Sequence, residues 1–154
     1  MIKKEDNKKL YIKCSGYSSI EVQGGNSKIS SFIRLRSICS DEISVQYTAY
    51  LDISNYRVNT PIVFNLYKRY KFSFNFLPVG DSYLAFPGVN FSSLKFIICD
   101  KDLINGDVEY FVEVKNNSAF VEDTVKILDS YLSVIFKNDL EGRKKWLILI
   151  ILFI

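Results

Sequence analysis

The sequence predicts a mainly β (α+β) fold, an antiparallel β-barrel or sandwich of short strands with one C-terminal amphipathic helix. Three observations predict it. Apolar and polar residues alternate with a period of two through long parts of the chain, as in Ile43-Ser-Val-Gln-Tyr-Thr-Ala-Tyr-Leu51. Glycine, proline, asparagine and serine punctuate the chain at the spacing of short strands. One stretch near residues 118–137 carries apolar residues at helical spacing instead. Hydrophobic residues make up 48% of the 154 residues and the net charge is only +3. That combination excludes a disordered chain and suits a single domain.

Each element follows from local pattern. Residues 1–9 are charged and read as a solvated tail. Two short apolar runs between Leu10 and Val22 flank a turn at Ser15-Gly16, and Gly24-Gly25-Asn26 marks a second turn. Lys28–Ile38 and Ile43–Ile53 are strands, followed by a bend at Ser54-Asn55. Val58–Leu66 is a strand candidate with Pro61 near its start. Tyr70, Phe72, Phe74 and Phe76 alternate with Lys71, Ser73 and Asn75, the clearest strand pattern in the chain. A short strand follows at Ser82–Phe86. Leu94–Cys99 and Val108–Val114 then read as a hairpin closed through Asn105-Gly106. For the helix, Asn117 or Ser118 is the N-cap, with Glu122 and Asp123 in the first turn. Val121, Val125, Leu128, Tyr131 or Leu132, and Ile135 form its buried face. The domain so defined runs over residues 10–141.

Several function classes are excluded by composition. The chain has no histidine, which removes Ser-His and Cys-His nucleophiles, histidine bases and most zinc chemistry. No enzymatic activity is therefore expected, and no metal site. Cys14, Cys39 and Cys99 are far apart in sequence and lie in apolar stretches, so they read as buried free thiols of a reducing compartment. The N-terminus lacks the apolar core of a secretory signal, and a cytoplasmic location is expected. Asp100, Asp102 and Asp107 lack the full calcium-loop pattern and read as turn chemistry.

Residues 142–154 form a basic-then-apolar tail. Nine apolar residues follow Arg143-Lys-Lys145. As a helix they would span about 14 Å, too short for a hydrocarbon core of about 30 Å, so no transmembrane span is expected. Three readings fit: a final buried strand, a peripheral membrane anchor, or a partner-docking segment. Trp146, Leu147, Ile148, Leu149 and Ile150 would carry the docking or the anchoring.

The stretch Tyr47-Thr-Ala-Tyr-Leu-Asp-Ile-Ser-Asn-Tyr-Arg57 resembles the D/N-x-S-x-x-G strand and turn of PilZ domains, bacterial receptors for cyclic di-GMP. Asp52 and Ser54 occupy the first two motif positions, whereas Arg57 stands where the family has its final glycine. The order of elements over residues 28–137 is also similar. The family's upstream R-x-x-x-R has no counterpart; the nearest basic residues are Lys28, Arg34 and Arg36. Arg34 and Arg36 share one face of a strand. They either form its solvent-facing side or fork onto a phosphodiester or a guanine. The resemblance implies cyclic di-GMP as the ligand of Arg34, Arg36, Asp52 and Ser54. It equally implies a degenerate member that acts through protein contacts.

Tyr67-Lys-Arg-Tyr-Lys-Phe72 interleaves basic and aromatic residues, a pattern that serves single-stranded nucleic acid. A net charge of +3 gives little electrostatic footprint for such a partner, and none is expected. The expectation is a non-enzymatic regulatory or binding module with a protein partner. The alternative is a structural subunit of a larger assembly, docking through its apolar tail.

Overall fold

The computed structural model describes residues 8–17, 19–87 and 92–139. Among the described residues, ten strands form two antiparallel sheets: β1 (Lys8–Tyr17), β2 (Ile20–Gln23), β3 (Ser27–Ser40), β4 (Ile43–Asp52), β5 (Ile62–Tyr70), β6 (Leu77–Pro78), β7 (Tyr83–Ala85), β8 (Ser93–Asp100), β9 (Ile104–Asn116) and β10 (Thr124–Asp139). Sheet A has the order β1-β10-β4-β8, with β2 also on β10. Sheet B has the order β3-β9-β5-β6, with β7 also on β5. The chain passes back and forth between the sheets, so the two inner faces are built from alternate positions of strands far apart in sequence.

Period-two alternation is visible where it drives burial. In β4, Ile43, Val45, Tyr47, Ala49 and Leu51 are buried, and the residues between them are half-buried or exposed. In β5, Ile62, Phe64, Leu66 and Lys68 face inward. Between the sheets, Tyr47, Phe64 and Phe96 pack as an aromatic cluster with ring centroids 5.2–6.4 Å apart. Tyr83 stacks on Phe96 at 5.0 Å. The Tyr47 hydroxyl meets Ser30 across the core.

The expected helix at 118–137 is a strand. β10 pairs with β1 on one side and β4 on the other, the middle of sheet A. Val125, Ile127, Ser130, Leu132, Val134 and Phe136 are buried. That is a period of two broken once, where the register shifts between Ile127 and Asp129. The bulge inserts one residue and moves the alternation out of phase. Summed over the break, the apolar positions imitate helical spacing. Ser118 and Asp123, read as helix cap and first turn, are instead a buried turn: the Ser118 hydroxyl and the Arg57 amide both donate to the Asp123 carboxylate.

Further expectations are corrected. Tyr70–Phe76 is no strand: β5 ends at Tyr70, and 71–76 form a loop with Phe72 92% and Phe74 95% exposed. Leu94–Val114 is no hairpin, because β8 pairs with β4 in sheet A and β9 with β3 and β5 in sheet B. Asn105-Gly106 lies within β9, beside a register shift against β3, with Gly106 at φ 122°. Ser15-Gly16 is no turn, because both residues lie within β1, which runs to Tyr17. The turn at Gly24-Gly25 and the bend at Ser54-Asn55 stand as expected. Lys8 and Lys9, expected in the N-terminal tail, begin β1. Cys39 is buried, as expected, but Cys99 is only half-buried and its thiol faces the Glu42 carboxylate at 3.4 Å.

The crossing from β8 to β9 is locked by a buried ionic group. Lys68 takes the last fully buried position of β5 and is 2% exposed. Its ammonium donates to both oxygens of Asp100 at 3.1 Å and to Asp102 at 2.8 Å. The Tyr110 hydroxyl donates to Asp100 at 2.7 Å. Burial opposes the Lys68 charge, but the hydrogen bonds to Asp102 and Asp100 outweigh it and hold the ammonium above its ordinary pKa. Asp100 and Asp102 thus do more than shape a turn.

Candidate functional site

The outer face of sheet B carries a charged ladder. β9 lies between β3 and β5, which places Glu109 opposite Arg34 on one side and Arg69 on the other. Arg34 Nε donates to Glu109 at 2.6 Å, and Arg69 donates to the other carboxylate oxygen at 3.2 Å. One step along the strands, the Asp107 carboxylate accepts the Ser37 amide at 2.8 Å and pairs with Lys71 at 3.4 Å. The Ser37 amide first, then Lys71 and the charge of Arg36, hold the Asp107 carboxyl below its ordinary range.

These side chains line an open cleft of about 450 Å³ with Tyr70, Phe72 and Ser73. Arg34, Arg36, Arg69 and Lys71 supply four cations against the two carboxylates of Asp107 and Glu109. Both non-glycine residues with left-handed backbone among the described residues, Ser37 (φ 54°) and Phe72 (φ 65°), sit at this cleft or beside it. Strained backbone of this kind persists where surrounding contacts over-determine it. Here, the Ser37 amide is tied to the Asp107 side chain and the Lys71 amide to the Asp107 carbonyl. The geometry offers guanidinium forks beside an aromatic face, which suits an anion attached to a flat or apolar group.

Arg34 and Arg36 line the same cleft. Asp52 and Ser54 do not join them. They stand at the far end of β4, where the Ser54 amide donates to Asp52 at 3.0 Å. The Ser54 amide and hydroxyl, together with Lys126, keep the Asp52 carboxyl below its ordinary range. Asp52 pairs with Lys126 at the start of β10, whereas β3 meets β10 at Ser130 and Asn138 on either side of the level of Arg34. At the rise of a strand, the two pairs are on the order of 20 Å apart. Asp52, Ser54 and Arg57 border a separate, shallower concavity with Tyr56, Pro87 and Leu128.

Arg69 and Lys71 belong to the basic-aromatic run that the sequence marks, but Lys68 in that run is buried in the core. Glu109 and Asp107 carry no motif. Their signal is the outward phase of β9, legible only once β9 is known to separate β3 from β5. Trp146, Leu147, Ile148, Leu149 and Ile150 lie outside the described residues, and so does the remainder of the 142–154 tail. Among the described residues no helix is long and apolar enough to cross a membrane.

No known family model matches the chain, and no curated protein does. Solved structures similar to it include the subviral particle of infectious bursal disease virus VP2, at 10% identity and a TM-score of 0.49, covering 84% of this chain and 33% of that one. The dimeric latent PorU of Porphyromonas gingivalis is similar at 10% identity and a TM-score of 0.48, covering 85% of this chain. A subunit of the disulfide-linked pili of Bacillus endospore appendages is similar at 10% identity and a TM-score of 0.42, covering 90% of this chain and 99% of that one. The chain spans only 13% of the length of the PorU chain.

Proposed function

We propose that the protein is a non-enzymatic binding module whose basic cleft on sheet B receives a phosphate-bearing ligand. The observation that carries this reading is the convergence of Arg34, Arg36, Arg69 and Lys71 around one cleft with an aromatic wall. Paired guanidiniums favour phosphate oxygens, and the aromatic rings favour a base. Cyclic di-GMP is the first ligand to test, because the Asp52-Ile-Ser54 stretch resembles its receptors. The site as folded uses the arginines without Asp52 and Ser54. Calorimetric titration with cyclic di-GMP, beside cyclic di-AMP, tests it. Saturable binding lost in Arg34→Gln/Arg69→Gln supports the cleft. Binding that survives this pair but is lost in Asp52→Ala would move the site to the far end of β4. No heat with either dinucleotide rejects the ligand and favours a degenerate module working by protein contacts.

A second reading, a subunit of a larger assembly, is favoured by β8. This eight-residue strand pairs only with β4 among the described strands and exposes Ile97. An unpaired strand edge is a template for a strand from another chain. Size-exclusion chromatography of the full chain and of a chain lacking Lys145–Ile154 tests it. Association abolished by the deletion supports docking through the tail. A full chain that remains monomeric at high concentration rejects it.

A further inference from the structure

We infer that the β5–β6 loop is a membrane-docking wedge that seats its phenylalanines in the interface of an anionic lipid bilayer. The loop has an anchored base and a free tip. Its base closes where Lys68 pairs with Leu77 and Tyr67 with Pro78. Phe76 returns onto the sheet, edge-on to Phe111 at 4.9 Å, with the Arg69 guanidinium 5.4 Å from its ring centre. Phe111 is itself stacked on Tyr67 at 5.5 Å. Phe72 and Phe74, in contrast, are exposed over more than nine-tenths of their surface. Two fully exposed phenylalanines held out by a fixed base are costly in water unless something apolar receives them.

The charge around them selects the receiver. Lys71 and Ser73 flank Phe72 in the chain, and Arg34, Arg36 and Arg69 stand behind the tip on the sheet. Exposed apolar side chains, with the Lys71 ammonium 5.0 Å from the Phe72 ring centre and four cations against the two carboxylates of Asp107 and Glu109 in the adjoining cleft, match the acyl chains and phosphates of an anionic membrane. A protein groove would demand a shaped partner surface. Phe72 and Phe74 are both exposed and are separated in the chain by Ser73, and a fluid interface accepts them in any arrangement. This inference goes beyond ligand binding in the cleft, although it draws on the same cations.

The test is sedimentation of the full chain with vesicles of equal parts phosphatidylglycerol and phosphatidylcholine, and with phosphatidylcholine alone. The expected result is binding to the anionic vesicles, weakened by salt, and none to the neutral ones. Phe72→Ser/Phe74→Ser should weaken that binding about tenfold or more, with the fold intact because neither side chain packs in the core. In Phe74→Trp, tryptophan emission should shift to the blue on adding anionic vesicles, beyond any change in the parent chain with its single Trp146. A parent chain that leaves anionic vesicles in the pellet without it overturns the inference. So does a double serine variant that binds as well as the parent, which would assign binding to residues 146–154. An unshifted Phe74→Trp emission also overturns it. None of these outcomes depends on whether the cleft binds a dinucleotide, which titration of the unmodified chain decides separately.

Discussion

Replacing Lys68 by methionine should cost the fold about 3–5 kcal/mol, because it leaves the Asp100 carboxylate buried without its cation. The magnitude follows from the surroundings. The Lys68 and Asp100 side chains are 2% and 5% exposed, so water cannot take the ammonium's place without opening the core. With the ammonium gone, Asp100 keeps only the Tyr110 hydroxyl and the Asp102 amide as donors. For a domain of this size, that loss lowers Tm by roughly 10 °C. The Lys68→Met/Asp100→Asn pair should recover much of it, since the amide retains an acceptor for Tyr110 and no charge remains buried. Asp102 contacts the same ammonium, but its side chain is 75% exposed. Asp102→Ala should therefore cost far less than Lys68→Met. Urea unfolding followed by circular dichroism, with the slope unchanged, measures all three. A Lys68→Met variant within about 1 kcal/mol of the parent would refute the reasoning, as would an equal loss from Asp102→Ala. Either result would mean that the group is solvated rather than a lock between the sheets.

Three other outcomes follow. Burial, eased by hydrogen bonds with Ser30 and Ser130, pushes the Tyr47 phenol up to about 12, and burial beside Asp100 raises Tyr110 as well. Both ionise more readily unfolded, so stability holds below about pH 10 and is lost as pH rises through the folded values. Alkaline titration of phenolate absorbance should show at least these two tyrosines appearing together with unfolding; gradual ionisation of all ten with the fold intact would contradict their burial. At the acid end, Asp107, held down by the Ser37 amide, and Asp102, held down by Lys68, have lowered pKa values. Their contribution is present above the ordinary carboxylate pKa and lost as pH falls through the folded values, so the urea midpoint should fall below about pH 4 and fall less steeply in Asp107→Asn. Finally, a Cβ on Gly24 would lie 1.9 Å from the Phe120 carbonyl oxygen, backbone that cannot swing away. Gly24→Ala should cost about 2 kcal/mol or more, against about 1 for Gly25→Ala, whose φ of 84° is strained but whose surroundings are open. Equal losses, measured by thermal melts, would discount the clash.

The strands that sequence reveals are those whose alternation coincides with an uninterrupted ladder. β4 is the plain case, with an inward residue at every second position. β10 has the same chemistry, but its bulge near Leu128 splits one pattern into two of opposite phase. Tyr70–Phe76 fails for a different reason. The alternation is perfect, yet the last paired residue of β5 is Tyr70 opposite Val108, and Phe72 turns the chain away with a left-handed backbone. Alternation reports what a strand would need, not whether a neighbour exists. The same distinction governs the site. Arg34 and Arg36 could be placed together from their spacing alone. Their union with Arg69 and Lys71 required β9 to lie between β3 and β5, a pairing that links residues roughly 40 and 75 apart and leaves no local signature.

The position of β10 in sheet A has a consequence for how the protein is made. β1 and β2 precede the other eight strands in the chain, and among the described strands neither pairs with any but β10, which follows the other nine. β4 pairs with β8 earlier but also waits for β10 on its other side. At about 5–20 residues per second, the N-terminal strands stay unpaired for several seconds of synthesis. Their apolar sides, including Val22, stay open to solvent throughout that interval. Sheet B can close earlier, because β3, β5 and β9 are complete before β10 begins. Until residue 139 emerges, the nascent chain is thus a half-sandwich with a bare inner face.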